Sequence, residues 1–435
     1  MQHAITFVIA ALCILVIAYR LYGVFFVRKV LQADDSQVTP SHQLEDGKNY
    51  VPTNRWVNFG QHFAAIAAAG PLVGPVLAAQ YGYLPSFLWL LIGCVIGGAV
   101  HDTVVLFASM KHQGKSLSEV AKAELGPIAG WCTGLAMLFI ITITMAGLSM
   151  VVVHALERNA WGVFAVFMTI PISMVVGIWH KLTGNLQAAS WVGFIAVLAC
   201  VFFGPYVQES AFGAWLTLRA ETISLALPIY AFFATALPVW LLLTPRGYIS
   251  SFMKIGVFGA LVIGVICINP EIQFPAMTQF VHGGGPVLGG PVWPFISITI
   301  ACGAISGFHA FIGSGTTPKL VDKWNDILPV AFGAMLAECV VGVMALIAAT
   351  ALHPADYFAI NATPEAFAKL GMQVVDLPFL SQEIGMDLNG RTGGAVTLAV
   401  GMSYIFTKVP WFSNLASYFF QFVVMFEAVF ILTAV

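Results

Sequence analysis

Apolar runs of roughly 20 residues recur along this chain, the length at which a helix crosses the hydrocarbon core of a bilayer. About twelve such runs can be marked, near 4–27, 57–80, 84–110, 127–156, 160–179, 190–205, 222–245, 249–268, 294–313, 327–352, 391–409 and 412–435. Inside a bilayer only helices and closed barrels satisfy every backbone polar group. The runs therefore predict an all-α polytopic membrane protein embedded in a lipid bilayer. Composition agrees, with 59% hydrophobic and 9% charged residues and a mean hydropathy of +0.89, where soluble domains carry about 25% charged residues. The first run is too long for a signal-peptide core and lacks a basic leader, so it reads as a retained helix.

The tracts between the runs organise the rest. Residues 1–31 form an extra N-terminal helix and 32–56 a polar segment. Ser116 and Glu119 have the spacing of a capping box, which predicts a short surface helix over 116–126. Two long segments, 269–294 (rich in Gly and Pro) and 353–390 (rich in acidic residues), read as an external gate or cap. With sides alternating, fourteen Lys and Arg, including Arg246 and Lys254, gather on one face, opposite Arg158, Arg219, Lys369 and Arg391. The positive-inside rule makes the first face cytoplasmic, with 32–56 on it and the N-terminus outside.

One run is interrupted. FGQHFAAIAAAGPLVGPVLAAQYGYLP, Phe59 to Pro85, holds Gly70-Pro71 and Gly74-Pro75. Proline removes a donor and clashes with the preceding turn, and discontinuous helices build midplane sites in secondary transporters. A kinked packing helix is the plainer alternative. An internal repeat gives the break a context: GYLPSFL at 82–88 matches GYISSFM at 247–253, an offset of 165. Gly126-Pro127 and Gly290-Pro291 fall one residue from that offset, and ITITMAG (141–147) resembles ITIACGA (298–304) eight residues from it. Five spans per unit invert the second unit relative to the first, predicting a 5+5 inverted repeat with units 57–205 and 222–409, plus 412–435 as a C-terminal helix. The counterpart of the first break is then the run interrupted by Pro238, and interrupted helices in corresponding positions point to a binding site.

The ionisable and hydroxyl residues at membrane depth are the candidate chemistry. His62, Ala69, Gly70, Pro71, Gly74 and Pro238 form the predicted substrate side, because a half-helix N-terminus offers free N–H groups and a positive dipole end to an anion. His62 is equally readable as a packed histidine. CGAISGFHAFIGSGTTPK, 302–319, supplies Ser306, Ser314, Thr316 and Thr317, whose hydroxyls suit a hard cation such as sodium, and His309, a proton carrier. Its alternative is a small-residue packing face with hydroxyls bonded back to the helix. Asp102, Glu338 and Glu427 are carboxyls inside predicted spans, where such groups are costly. Asp102, an ion-coupling candidate, could form a relay with His101, but neighbours on a helix do not face each other, and a structural pair with another helix is the alternative. Glu338 is the better proton-coupling candidate, and Glu427 reads as structural.

Other chemistry is excluded or disfavoured. The seven cysteines, at 13, 94, 132, 200, 267, 302 and 339, lie in or beside apolar runs without a CxxC pair, so no metal is expected and the thiols read as structural. HExxH, GxSxG and P-loop motifs are absent, which argues against an enzyme. The net charge of −2 argues against a nucleic-acid partner. No cofactor is expected beyond a bound sodium ion or a proton, and a homo-oligomer is left open.

FAAIAAAGPLVGPVLAAQ, LPVWLLLTPRGYIS, ITIACGAISGFHAFIGSGTTPK, GRTGGAVTLAVGM and FEAVFILTAV resemble the carbon starvation protein A (CstA) family, from about Tyr19 to the last residue. The resemblance implies a bacterial inner-membrane secondary transporter linked to peptide or proton-coupled pyruvate uptake in carbon starvation. It also implies the 5+5 LeuT-like fold of the amino acid–polyamine–cation superfamily. Three departures stand out. Gln61-His62 replaces an expected histidine pair, His101-Asp102 an expected Gln-Asp, and the chain stops in an apolar run where relatives continue. The sequence thus predicts alternating-access symport of a small carboxylate or short peptide, against a nutrient-binding membrane sensor that moves nothing.

Overall fold

Helices carry nearly all of the regular structure, as a bilayer demands. The computed structural model describes residues 2–67, 70–238, 241–408 and 415–434. Among these, six helices are long and apolar enough to cross a membrane: Ala4–Val30, Tyr83–Lys111, Pro127–Leu156, Ala160–Thr183, Ala188–Glu209 and Trp324–Thr350. The pair Arg55–Ile66 and Gly70–Tyr81, bent by 50°, makes a seventh if taken as one span. Ala220–Ala236, Leu243–Ile268, Ala395–Thr407 and Ala416–Ala434 are further apolar helices. Leu117–Leu125 is the predicted surface helix, and its capping box forms.

Two predicted spans are divided differently. The run 222–245 ends as a helix at Ala236, and the next helix starts at Leu243, so the turn precedes Arg246 instead of containing it. Pro238 stops the first helix, and Leu241 N–H returns to its carbonyl at 2.9 Å. The run 294–313 is not one helix. It comprises Val292–Thr299, Ala301–Ala304 and His309–Gly315, with 305–308 outside the helices. Glycine at 303, 307, 313 and 315 weakens helix formation there.

The charge count needs correction as well. Arg246 and Lys254 lie inside Leu243–Ile268 and are 0% and 3% exposed. Arg246 donates to the Tyr230 hydroxyl and, at 3.1 Å, to Thr169 Oγ1. Removing both leaves twelve cations against four, so the asymmetry survives.

Each end of the molecule is stitched together. At one end Gln2–His3 pairs antiparallel with Glu271–Ile272, and Leu84 N–H bonds Ala276 O at 3.1 Å. The Gln80 side chain donates to Leu288 O at 2.7 Å and accepts from Val287 and Leu288 N–H at 2.8 and 3.0 Å. At the other end Ser41 Oγ donates to Val321 O at 2.6 Å, Thr53 N–H to Leu320 O at 3.0 Å, and the Tyr50 hydroxyl to Gln113 O at 2.9 Å. Segments predicted for one side thus pair with one another. Between the ends, Gly70–Tyr81 packs against Trp324–Thr350, the most completely buried of the long helices.

Candidate functional site

The site is built where the bent pair meets the broken run 292–315. Gly70 and Gly74 are needed for that contact. A Cβ on Gly70 would collide with the Cys302 side chain, and one on Gly74 with the Thr299 carbonyl. Pro71 and Gly74 are buried in this contact. Ala69 lies outside the described residues.

Beside the contact, three elements bring their ionisable groups together. His309 is fully buried, with Nδ1 2.7 Å from Asp102 Oδ2 and Nε2 3.2 Å from Glu338 Oε2. Asp102 Oδ1 lies 2.9 Å from His101 Nδ1, and the His101 side chain is 28% exposed. A continuous row of titratable groups therefore runs from fully buried Glu338 through His309 and Asp102 to partly exposed His101. Neither Glu338 oxygen nor His309 Nε2 has an aligned hydrogen bond among the described residues. Their closeness is that of an ion pair, in surroundings where isolated charge is expensive.

Two further groups face this row. His62, 1% exposed, bonds through Nδ1 to Thr317 Oγ1 at 2.8 Å, leaving Nε2 without a partner among the described residues. It lies near enough to Asp102 and His309 for their charges to act on it. Lys254 Nζ donates to the Ala64 carbonyl near the end of Arg55–Ile66, and its charge reaches Glu338.

The predicted residues divide clearly. Asp102, His309 and Glu338 come together, with His62 close by. Asp102 makes both contacts weighed for it, with its neighbour His101 and with His309 on another element. The hydroxyls are mostly engaged: Ser314 Oγ donates to Ala310 O at 2.5 Å, Thr317 is bonded to His62, and Ser306 lies 3.5 Å from Cys302 Sγ. Thr316 is exposed. Pro238 is exposed after Ala220–Ala236, a helix packed against Pro127–Leu156, and no described contact joins it to the cluster. Glu427 is 1% exposed with both oxygens unpartnered among the described residues, so the structural partner expected for it is not found there.

Sequence reasoning passed over Cys302 and Lys254. Lys254 carried a usable signal, a lone cation in an apolar run. Cys302 opens the 302–319 stretch that also holds His309, but a single cysteine in an apolar run reads as a structural thiol until Glu338 is brought beside it.

Segment 353–390 packs against the far end of the bent pair. The Tyr357 hydroxyl lies 2.9 Å from both the Val76 and Leu77 carbonyls. Asp356 accepts from Val375 and Asp376 N–H at 2.7 and 2.9 Å, which holds this segment in place.

Residues 3–435 match the family model described as carbon starvation protein CstA. The chain is 74% identical over 434 residues to the peptide transporter CstA of Bacillus subtilis (strain 168), covering 100% of this chain and 73% of that protein. It is 45% identical over 453 residues to the peptide transporter CstA of Campylobacter jejuni, covering 99% and 64%. It is 42% identical over 473 residues to the pyruvate/proton symporter BtsT of Escherichia coli (strain K12), covering 99% and 66%. The chain thus spans less than two thirds of the latter two relatives. No solved structure matches.

Proposed function

Because the chain belongs to the carbon starvation protein CstA family, whose matched members are transporters and not enzymes, we propose that it carries a short peptide or a small carboxylate such as pyruvate across a bacterial inner membrane, coupled to protons. The observation that carries the coupling is His309, buried between Asp102 and Glu338 and linked through Asp102 to partly exposed His101. A proton moving along this row changes the charge facing the helix break at Gly70. That gives the two conformations of an alternating-access cycle different electrostatic energies.

The row of imidazoles and carboxyls, groups that take up and release protons, favours protons over sodium as the coupling ion. His62 Nε2 and the N–H groups at the start of Gly70–Tyr81 are the proposed contacts for the substrate carboxylate. Twelve spans, a 5+5 inverted repeat and an external N-terminus fit the pairing of predicted same-side segments at each end of the molecule.

The test is labelled pyruvate and dipeptide uptake into proteoliposomes under an imposed proton gradient and, separately, a sodium gradient. Uptake driven only by protons is expected. Sodium-driven uptake would overturn the proton reading. Binding of either solute without uptake under both gradients would put a membrane sensor in its place.

A further inference from the structure

One set of atoms at this site exceeds what a proton relay needs. Cys302 Sγ, an imidazole nitrogen of His309 and a Glu338 carboxylate oxygen all lie within 4.8 Å of one another, and His309 and Glu338 are fully buried. They come from three separate elements, Ala301–Ala304, His309–Gly315 and Trp324–Thr350. The 3.2 Å between His309 Nε2 and Glu338 Oε2 is not an aligned hydrogen bond. It does match the edge of a tetrahedron whose centre is about 2.0 Å from a nitrogen and an oxygen ligand. The other imidazole nitrogen is held by Asp102. That is how a carboxylate commonly fixes the tautomer and orientation of a metal-bound histidine.

We propose that Cys302, His309 and Glu338 form a site for a divalent cation of the zinc class. The donor set of thiolate, imidazole and carboxylate suits zinc and not a hard cation. The thiolate and carboxylate together cancel the charge of a divalent ion, a strong preference in a buried site. Three protein ligands leave a fourth tetrahedral position for water or a small anion. The ion occupies the atoms that would pass a proton between Glu338 and His309 and ties three elements together. Occupation therefore stops the transport cycle, a consequence that rests on the proton-coupled reading above.

Cobalt(II) is the probe, because a thiolate–cobalt bond gives a near-ultraviolet charge-transfer band. Purified full chain is expected to develop the band, saturating at one ion per chain and displaced by zinc. Cys302→Ser should abolish it. Asp102→Asn should keep the band and weaken binding about 10- to 100-fold. No band, or a band unchanged in Cys302→Ser, overturns the site. As a check needing no variant, zinc should slow maleimide labelling of Cys302 in the wild-type chain, read by mass spectrometry, and unchanged labelling also overturns it. These readouts do not depend on transport, so a chain that moves no substrate can still show the site. Zinc bound at saturation with proton-driven uptake undiminished would overturn the inhibitory role alone.

Discussion

Two carboxyl groups at the ends of this molecule and two at its buried centre are held in opposite ways. Asp46 and Asp356, at the ends, are saturated by backbone amides, whereas the more exposed Asp322 and Glu124 lie 2.8 and 2.9 Å from His42 and His112. Asp46 Oδ1 accepts from the N–H groups of Lys48, Asn49 and Tyr50 at 2.8, 2.7 and 2.9 Å, and Asp356 from those of Val375 and Asp376. A backbone amide does not titrate, so such a carboxylate is a fixed anchor. At the centre the partners of Asp102 and Glu338 are imidazoles. An imidazole gains and loses its proton in the physiological range, so these contacts can change their charge during a cycle. An imidazole partner in full burial, and not the carboxyl itself, separates mechanism from scaffold.

The largest effect should come from the central group with no amide to fix it. Glu338→Gln keeps the side-chain shape and removes the exchangeable charge. Proton-driven uptake is expected to fall at least about 100-fold, the scale of losing a proton-transfer group, while substrate binding by calorimetry survives. Undiminished proton-driven uptake in this variant would erase the distinction between centre and ends.

An end carboxylate should fail in a different way. Asp356→Ala strands two backbone donors in a segment where Asp356 itself is fully buried. The expected cost is about 1–3 kcal/mol of stability, read as a lowered thermal midpoint in detergent. Uptake per folded molecule should be retained. A selective loss of proton coupling, with the midpoint unmoved, would place Asp356 with the central group.

How much of this could be read in advance depends on the range of the interaction. Pro127–Leu156 and the Ser116–Glu119 capping box were legible because each is written in contiguous residues. Asp102, His309 and Glu338 were legible singly, because an ionisable residue in an apolar run is conspicuous. Their meeting was not, since 207 residues separate Asp102 from His309. Arg246 and Lys254 were assigned to a cytoplasmic face because a charge tally treats every cation in a short run as a loop residue, whereas burial against Tyr230 and Ala64 is a tertiary fact. The repeat shows the same limit: Gly82 caps a helix at φ +102, while its counterpart Gly247 lies inside one.

Glu427 tests the comparison from a third side. It is as buried as Glu338, yet it has neither amide nor imidazole partner among the described residues. With no described group to exchange a proton with, it belongs to neither class. Glu427→Gln should leave proton-driven uptake within about twofold of wild type. A loss as large as that in Glu338→Gln would show that an isolated buried carboxyl can drive the cycle without an imidazole.

The smallest effect is local and depends on pH. The three amides on Asp46 hold its carboxyl well below the usual carboxylate range. The folded loop therefore prefers the ionised form more than the open loop does. The stabilisation is complete above the ordinary aspartate range near pH 4 and fades only as pH falls toward the lowered value of the folded loop. Amide hydrogen exchange at Lys48, Asn49 and Tyr50, corrected for its intrinsic pH dependence, should show unchanged protection between pH 7 and 5 and a decline below about pH 4. Asp46→Asn should show reduced protection at every pH, because the amide oxygen is a weaker acceptor than the carboxylate. A pH-dependent loss centred near neutrality would mean that an imidazole governs this loop, and the contrast between amide-fixed carboxylates and a titrating centre would fail at its simplest instance.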